Sequence, residues 1–227
     1  LNTLLISGTD TGVGKTVLTT ALVAYWQAYC TSQLAIFKPI QAGPGDRELY
    51  SRLVRNQSLE EITPLYFQAP LAPPVAAAQE GRRVELDRAW TMFQSLQQQH
   101  DFVLIEALGG LGSPITDETT VADLARDWRL PVVLVVPVRL GAIAQAVANV
   151  ALARQSRVHL QGIVLNCPQP CLVEEVADWA PQDLIQTLTH TPVLGTVPHL
   201  SDPADLSKLA QVASDLDLER LMPLRLS

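Results

Sequence analysis

The sequence predicts an α/β fold, with one parallel β-sheet flanked by helices on both faces in a single domain over residues 1–227. Two observations predict the sheet. Short, continuous apolar runs bounded by turn residues recur along the chain, the pattern of strands buried on both faces. Helical patterns lie between successive runs, so the crossovers carry helices and the strands run parallel. A third observation locates a site: polar and glycine-rich segments follow the carboxyl ends of the runs, where open α/β sheets gather ligands.

In chain order, the first run, Leu4 to Ser7, leads into Gly8-Thr9-Asp10-Thr11-Gly12-Val13-Gly14-Lys15-Thr16, and a helical pattern spans Thr16 to Cys30. Glycines let successive N–H groups turn inward on an anion, and the following helix adds the positive end of its dipole. Lys15 then reaches the outer phosphates of a nucleotide, and Thr16 holds magnesium. The strict pattern asks for glycine at the position of Thr9, and Gly8 stands one step earlier, so the loop is a variant. Strand, glycine-rich turn and helix in succession are the context that supports such a match, and they extend the fold class to the P-loop NTPase architecture.

The second run, Leu34 to Phe37, ends in Lys38-Pro39-Ile40-Gln41-Ala42-Gly43, read as a loop, before a helix from Arg47 to Arg55. Of sixteen basic residues, all but Lys15, Lys38 and Lys208 are arginine. Lys15 and Lys38 both follow early strands, where a compact ammonium suits a phosphate or carboxylate. Asp46 reads equally as a second carboxylate of the site or as the N-cap of the helix from Arg47. Pro64 to Gly81 is expected to be a long, proline-rich, ordered loop near the site. A helix from Glu85 to Gln99 precedes the third run, Phe102 to Ile105, which ends in Glu106-Ala107-Leu108-Gly109-Gly110. A hydrophobic strand ending in a carboxylate is the second half of most phosphate-loop sites, and Gly109 and Gly110 allow close backbone approach.

The remaining runs are Val132 to Val136, Gly162 to Leu165 and Val193 to Val197, followed by Arg139-Leu140-Gly141, Asn166 and Pro198-His199-Leu200. Helices are expected over Thr120 to Trp128, Ile143 to Ser156, Leu172 to Leu188 with a break near Pro181, and Asp205 to Leu216. One site then collects residues from six loops.

Composition narrows the partners. With 48% hydrophobic residues the chain can bury a large core, and a net charge of −7 without clustered Lys and Arg argues against nucleic acid. No apolar run reaches membrane-spanning length, and residues 1–7 lack the features of a secretory signal, so a cytoplasmic protein is expected. Leu1 in place of Met suggests a trimmed or rewritten start. Cys30, Cys167 and Cys171 read as reduced thiols, because the scattered His100, His159, His190 and His199 supply no paired zinc spacing.

The motifs together resemble the dethiobiotin synthetase family over nearly the whole chain. They are Gly-Thr-Asp-Thr-x-Val-Gly-Lys-Thr at 8–16, Lys38-Pro39, Glu106 with Gly109-Gly110, Thr-x-Ala-Asp at 120–123, Leu140-Gly141, Asn166 and Leu-Gly-x-x-Pro at 194–198. The resemblance implies an enzyme that makes dethiobiotin, ADP and phosphate from 7,8-diaminononanoate, carbon dioxide and MgATP. It implies that Gly12, Val13, Gly14, Lys15, Thr16 and Val17, with Glu106, Ala107, Leu108 and Gly109, contact ATP, and that Asn166, Pro198, His199 and Leu200 hold its adenine. It assigns Thr16, Asp46 and Glu106 to Mg2+, and makes Lys38 the catalytic lysine alongside Lys15 and Thr11. Thr11, Lys38, Ala42, Gly110, Leu140 and Gly141 are implied to touch the diamine or its carbamate, with substrate near the interface of a homodimer.

The chain departs from the family pattern at several points. Ala42 stands where the family usually has a hydroxyl residue, Ala107 interrupts the usual Glu-Gly, Arg139 takes a position often held by Lys, Ala72-Pro73-Pro74 replaces Ser-Pro-His, and Ala142 to Gln145 replaces a segment with Asn and His. Two rival readings share the architecture. Partitioning and positioning ATPase switches carry an extra lysine five residues before the loop lysine, where this chain has Asp10, and their membrane-targeted members end in a basic amphipathic helix, whereas Leu216 to Ser227 offers Pro223 and mixed charge. ATP-dependent amidoligases of the cobyrinate type need an appended glutaminase region, for which 227 residues leave no room.

Overall fold

The computed structural model describes residues 2–222; Leu1 and residues 223–227, including Pro223, lie outside the described residues. Among the described residues, a six-stranded sheet forms from β1 (Thr3–Gly8), β2 (Leu34–Phe37), β5 (Phe102–Gly110), β6 (Pro131–Pro137), β7 (His159–Asn166) and β8 (Val193–Val197), in the order β2-β5-β1-β6-β7-β8. All neighbours in it are parallel. Through β1, β2, β5 and β6, strand residues alternate between two cores. Leu5, Phe37, Ile105 and Leu134 point to one, and Leu4, Ile6, Ile36, Leu104 and Val135 to the other. A sheet buried on both faces explains why its sequence reads as unbroken apolar runs.

One core is covered by α1 (Lys15–Tyr29), α2 (Asp46–Leu53), α10 (Leu206–Ser214) and α11 (Leu218–Leu221), and α1 packs directly on α10. Enclosed between sheet and helix, α1 buries residues around most of its circumference, from Leu18 to Trp26. The other core receives α4 (Pro73–Gln79), α5 (Leu86–Gln99), α6 (Val121–Asp127), α7 (Ala142–Gln155) and α9 (Gln182–Thr189). Trp90, Phe93 and Trp128 form an aromatic cluster there, and Phe37 stacks on Phe93 at 5.8 Å. The expected helix Leu172 to Leu188 is two helices, α8 (Val173–Trp179) and α9, parted at Pro181.

Two expectations are corrected and one open alternative is resolved. The segment after Lys38 is not wholly loop: β3 (Ile40–Ala42) pairs in parallel with β4 (Leu65–Phe67) in a second small sheet. Three-residue strands carry no readable periodicity, and their pairing is set by the tertiary fold. Within Pro64 to Gly81, β4 and α4 replace the expected loop, because Pro73 and Pro74 occupy the first helical positions, where proline's missing N–H costs nothing. Short α3 (Leu59–Ile62) is capped by Ser58, whose hydroxyl accepts the Glu61 N–H. Finally, Asp46 is not an N-cap. Gly45 holds that position and Asp46 is the first residue of α2, which frees its side chain for the site.

Candidate active site

The loop after β1 curls because Gly14, at φ +103°, adopts a left-handed conformation that a side chain would strain. Asn166 locks it from the end of β7: its Nδ2 donates to the Val13 carbonyl at 2.9 Å, and a Cβ on Gly14 would lie 2.1 Å from the same nitrogen. Gly110 provides a second close approach, since a Cβ there would meet the Gly8 carbonyl at 2.8 Å. Lys15 is almost wholly buried, and its Nζ donates to the Asp10 carbonyl at 2.9 Å across the loop. Burial lowers the Lys15 pKa, with the Lys38 charge acting in the same direction and the Glu106 carboxylate opposing.

Lys38, Asp46 and Glu106 meet at the mouth of this loop. The Lys38 ammonium lies 2.6 Å from Glu106 Oε1 and 2.7 Å from Asp46 Oδ2, and Thr16 Oγ1 donates to Asp46 Oδ1 at 3.2 Å. Burial alone would pull Lys38 down, but the two carboxylates outweigh it and raise the pKa, so the residue is a fixed cation at neutral pH. For Asp46, burial opposes ionisation, while the Lys38 charge and hydrogen bond prevail and lower the pKa. Glu106, 1% exposed, is also held from behind: Thr19 Oγ1 donates to its Oε2 at 3.0 Å, and so does the Tyr50 hydroxyl.

These groups line one cleft of about 730 Å³. Its polar wall carries Thr11, Gly12, Gly14, Lys15, Thr16, Lys38, Asp46 and Glu106. The lining also includes a largely apolar set, Ala42, Pro70 to Pro73, Leu108 and Pro114, with Gln41 and Ser113 beside them. Such a cavity can take a polyanion together with an apolar or amphiphilic molecule.

The donor set fits magnesium. Two carboxylates and a hydroxyl, all hard oxygens, converge beside a phosphate loop, and magnesium is usually bound by one or two carboxylates plus substrate phosphates rather than an all-protein cage.

Not every expected residue joins the cleft. Val13 and Ala107 turn their side chains into the two cores, Val17 packs against the core under α1, and Gly110 is buried beneath the loop. Asn166 touches the loop, while Pro198 and His199 are exposed beyond β8 and Leu200 is buried in the core. Leu140 and Gly141 are the clearest departure. They lie in the exposed turn between β6 and α7, Gly141 as the N-cap of α7; Leu140 is 86% exposed, and neither lines the cleft of its own chain. Sequence reasoning missed Thr19 and Tyr50. Each lies four residues after a recognised site residue, Lys15 and Asp46, and so shares its helix face, a spacing that could have found them.

Fold and site together define a P-loop nucleotide-binding protein. A family model described as "AAA domain" matches residues 2–205. The chain is 60% identical to "ATP-dependent dethiobiotin synthetase BioD" of Gloeothece citriformis over 97% of this chain and 99% of that protein. It is 55% identical to the protein of the same name in Crocosphaera subtropica, over 97% and 100%. The chain belongs to the dethiobiotin synthetase family. Among solved structures, a ParA family ATPase from Chlorobium tepidum aligns with a TM-score of 0.61 at 12% identity over 97% and 98% of the two chains. The MinC:MinD complex of Aquifex aeolicus aligns at 0.55 and 15%, over 99% of each. At those identities the likeness is one of fold alone.

Proposed function

We propose that this chain closes the ureido ring of dethiobiotin, using 7,8-diaminononanoate, carbon dioxide and MgATP and releasing ADP and phosphate. The observation that carries the reading is the buried Lys38 between Asp46 and Glu106, facing the phosphate loop in one cleft. One amine of the substrate adds to carbon dioxide and loses a proton, giving a carbamate. A carbamate oxygen attacks the terminal phosphorus and the bond to ADP breaks. The second amine then attacks the carbonyl carbon of the mixed anhydride, phosphate leaves and the five-membered ring closes.

The difficult step forces two anions together. Lys15 and Lys38 flank the transferring group with fixed positive charge, so catalysis is positioning plus electrostatic stabilisation. Thr16, Asp46 and Glu106 would hold Mg2+, which supplies charge neutralisation on the phosphates. Thr11 and the backbone at Ala42 contact the carbamate end, and the apolar wall from Pro70 to Pro73 accepts the alkyl chain. Asn166 and the Pro198 to Leu200 segment border the adenine. Leu140 and Gly141, outside the cleft of their own chain, serve the site of a second copy in a homodimer, and the setting is cytoplasmic. Against a switch-type ATPase, Asp10 occupies the position of the extra lysine, and its backbone carbonyl is tied to Lys15.

The test is a product assay. Purified protein given diaminononanoate, bicarbonate and MgATP should yield dethiobiotin and ADP in equal amounts, and Lys38→Ala should cut turnover about 10²- to 10³-fold, as loss of one fixed donor to a developing anion does. Folded protein that hydrolyses ATP without dethiobiotin would overturn the reading, and undiminished turnover by the variant would remove Lys38 from the chemistry.

A further inference from the structure

Tyr50 is a fully buried tyrosine whose hydroxyl donates to Oε2 of Glu106, itself almost wholly buried. It stands one turn after Asp46 on α2, so a single helix face reaches both carboxylates of the cleft. The two oxygens of Glu106 have different surroundings. Oε2 takes the neutral donors Tyr50 and Thr19, and Oε1 takes the Lys38 ammonium. A glutamate side chain has three rotatable bonds, and here the hydroxyls from α1 and α2 hold one oxygen while the other stays with the cationic group at the phosphate end.

We infer that Tyr50 is a positioning residue that orients Glu106, acting through its Oε2 and so tying the seating of α2 to the geometry of the cation site. The inference rests on Glu106 being a metal carboxylate, as proposed above. Outer-shell partners of ligating carboxylates typically govern metal affinity by 10- to 100-fold. Tyr50→Phe keeps the ring in the core and removes only the donor.

The test measures Mn2+ binding by electron paramagnetic resonance, in the presence of a non-hydrolysable ATP analogue, for the wild-type chain, Tyr50→Phe, Glu106→Gln and the double variant, with thermal melts of each. Tyr50→Phe should melt as a folded protein and bind Mn2+ about tenfold more weakly, and it should add nothing further in the Glu106→Gln background. That non-additivity is what a purely packing role for Tyr50 would not produce. Wild-type affinity in Tyr50→Phe alongside weakened binding in Glu106→Gln would overturn the inference and leave the cation site standing. An equal loss in both backgrounds would also overturn it, since the effect would then bypass Glu106. Unchanged affinity in Glu106→Gln would overturn the metal reading of Glu106 itself, and with it the role of Tyr50.

Discussion

Lys38 and Asp46 make the local electrostatics of the cleft testable in a way that does not depend on catalysis. A carboxylate whose folded pKa lies below its unfolded value contributes stability above that unfolded value, about 3.9 for Asp, and loses it as the pH falls through the folded value. A lysine held above its ordinary value of about 10.4 contributes below that value and loses the contribution only as the solution becomes more alkaline. Asp46 is lowered and Lys38 raised, so the pair supports the fold across the neutral range and fails at both extremes. Asp46 is about a third exposed, so solvent screens part of the effect. Melting temperatures recorded from pH 5 down to pH 3 should therefore fall more steeply for the wild-type chain than for Asp46→Asn. Parallel curves would mean that Asp46 is not held by Lys38 in solution.

At the scale of elements, the phosphate loop is shaped by a residue far away in sequence. The Asn166 amide at the end of β7 satisfies the Val13 carbonyl and fills the space that any side chain at position 14 would need. Asn166→Ala leaves that carbonyl without its donor, which costs about 1–3 kcal/mol when the group is buried. The loop also loses the wall that keeps Gly14 in place. The expected result is a lower melting temperature together with weaker binding of a fluorescent ATP analogue. A variant that melts lower but binds nucleotide normally would confine Asn166 to stability.

At the scale of the molecule, the chain presents Leu140 and Val147 to the outside at and beyond the start of α7, 86% and 38% exposed. In the proposed homodimer a second copy covers them. Burying a leucine contributes roughly 1.5–3 kcal/mol, and two-fold symmetry places each interface residue in the contact twice. Leu140→Arg should shift sedimentation from dimer to monomer and raise the KM for diaminononanoate, with little effect on ATP binding. A monomeric wild-type chain with full activity would end the dimer proposal.

The six sheet strands, the longer helices between them and the phosphate loop are legible in the sequence because each depends on neighbours within one contiguous segment: apolar runs, helical periodicity, glycines before Lys15. Lys38 was legible as a strand-end residue for the same reason, whereas Glu106, expected just past a strand ending at Ile105, lies inside β5, whose last residues Leu108 to Gly110 pair on beside the phosphate loop. Legibility stopped where the cause is remote. The β3–β4 pair is too short to announce itself, Asp46 reads equally as a site carboxylate or a cap until Gly45 is seen to take the cap position, and Thr19 and Tyr50 are ordinary helix residues until Glu106 arrives between them. What the sequence by itself determined is the six strands of the main sheet, the longer helices between them and the identity of the charged groups. Only the tertiary structure decided the strand order that puts β5 beside β1, the convergence of Lys38, Asp46 and Glu106, and the outward turn of Leu140, because crossovers and registers arise from packing over the whole chain rather than from any local run of residues.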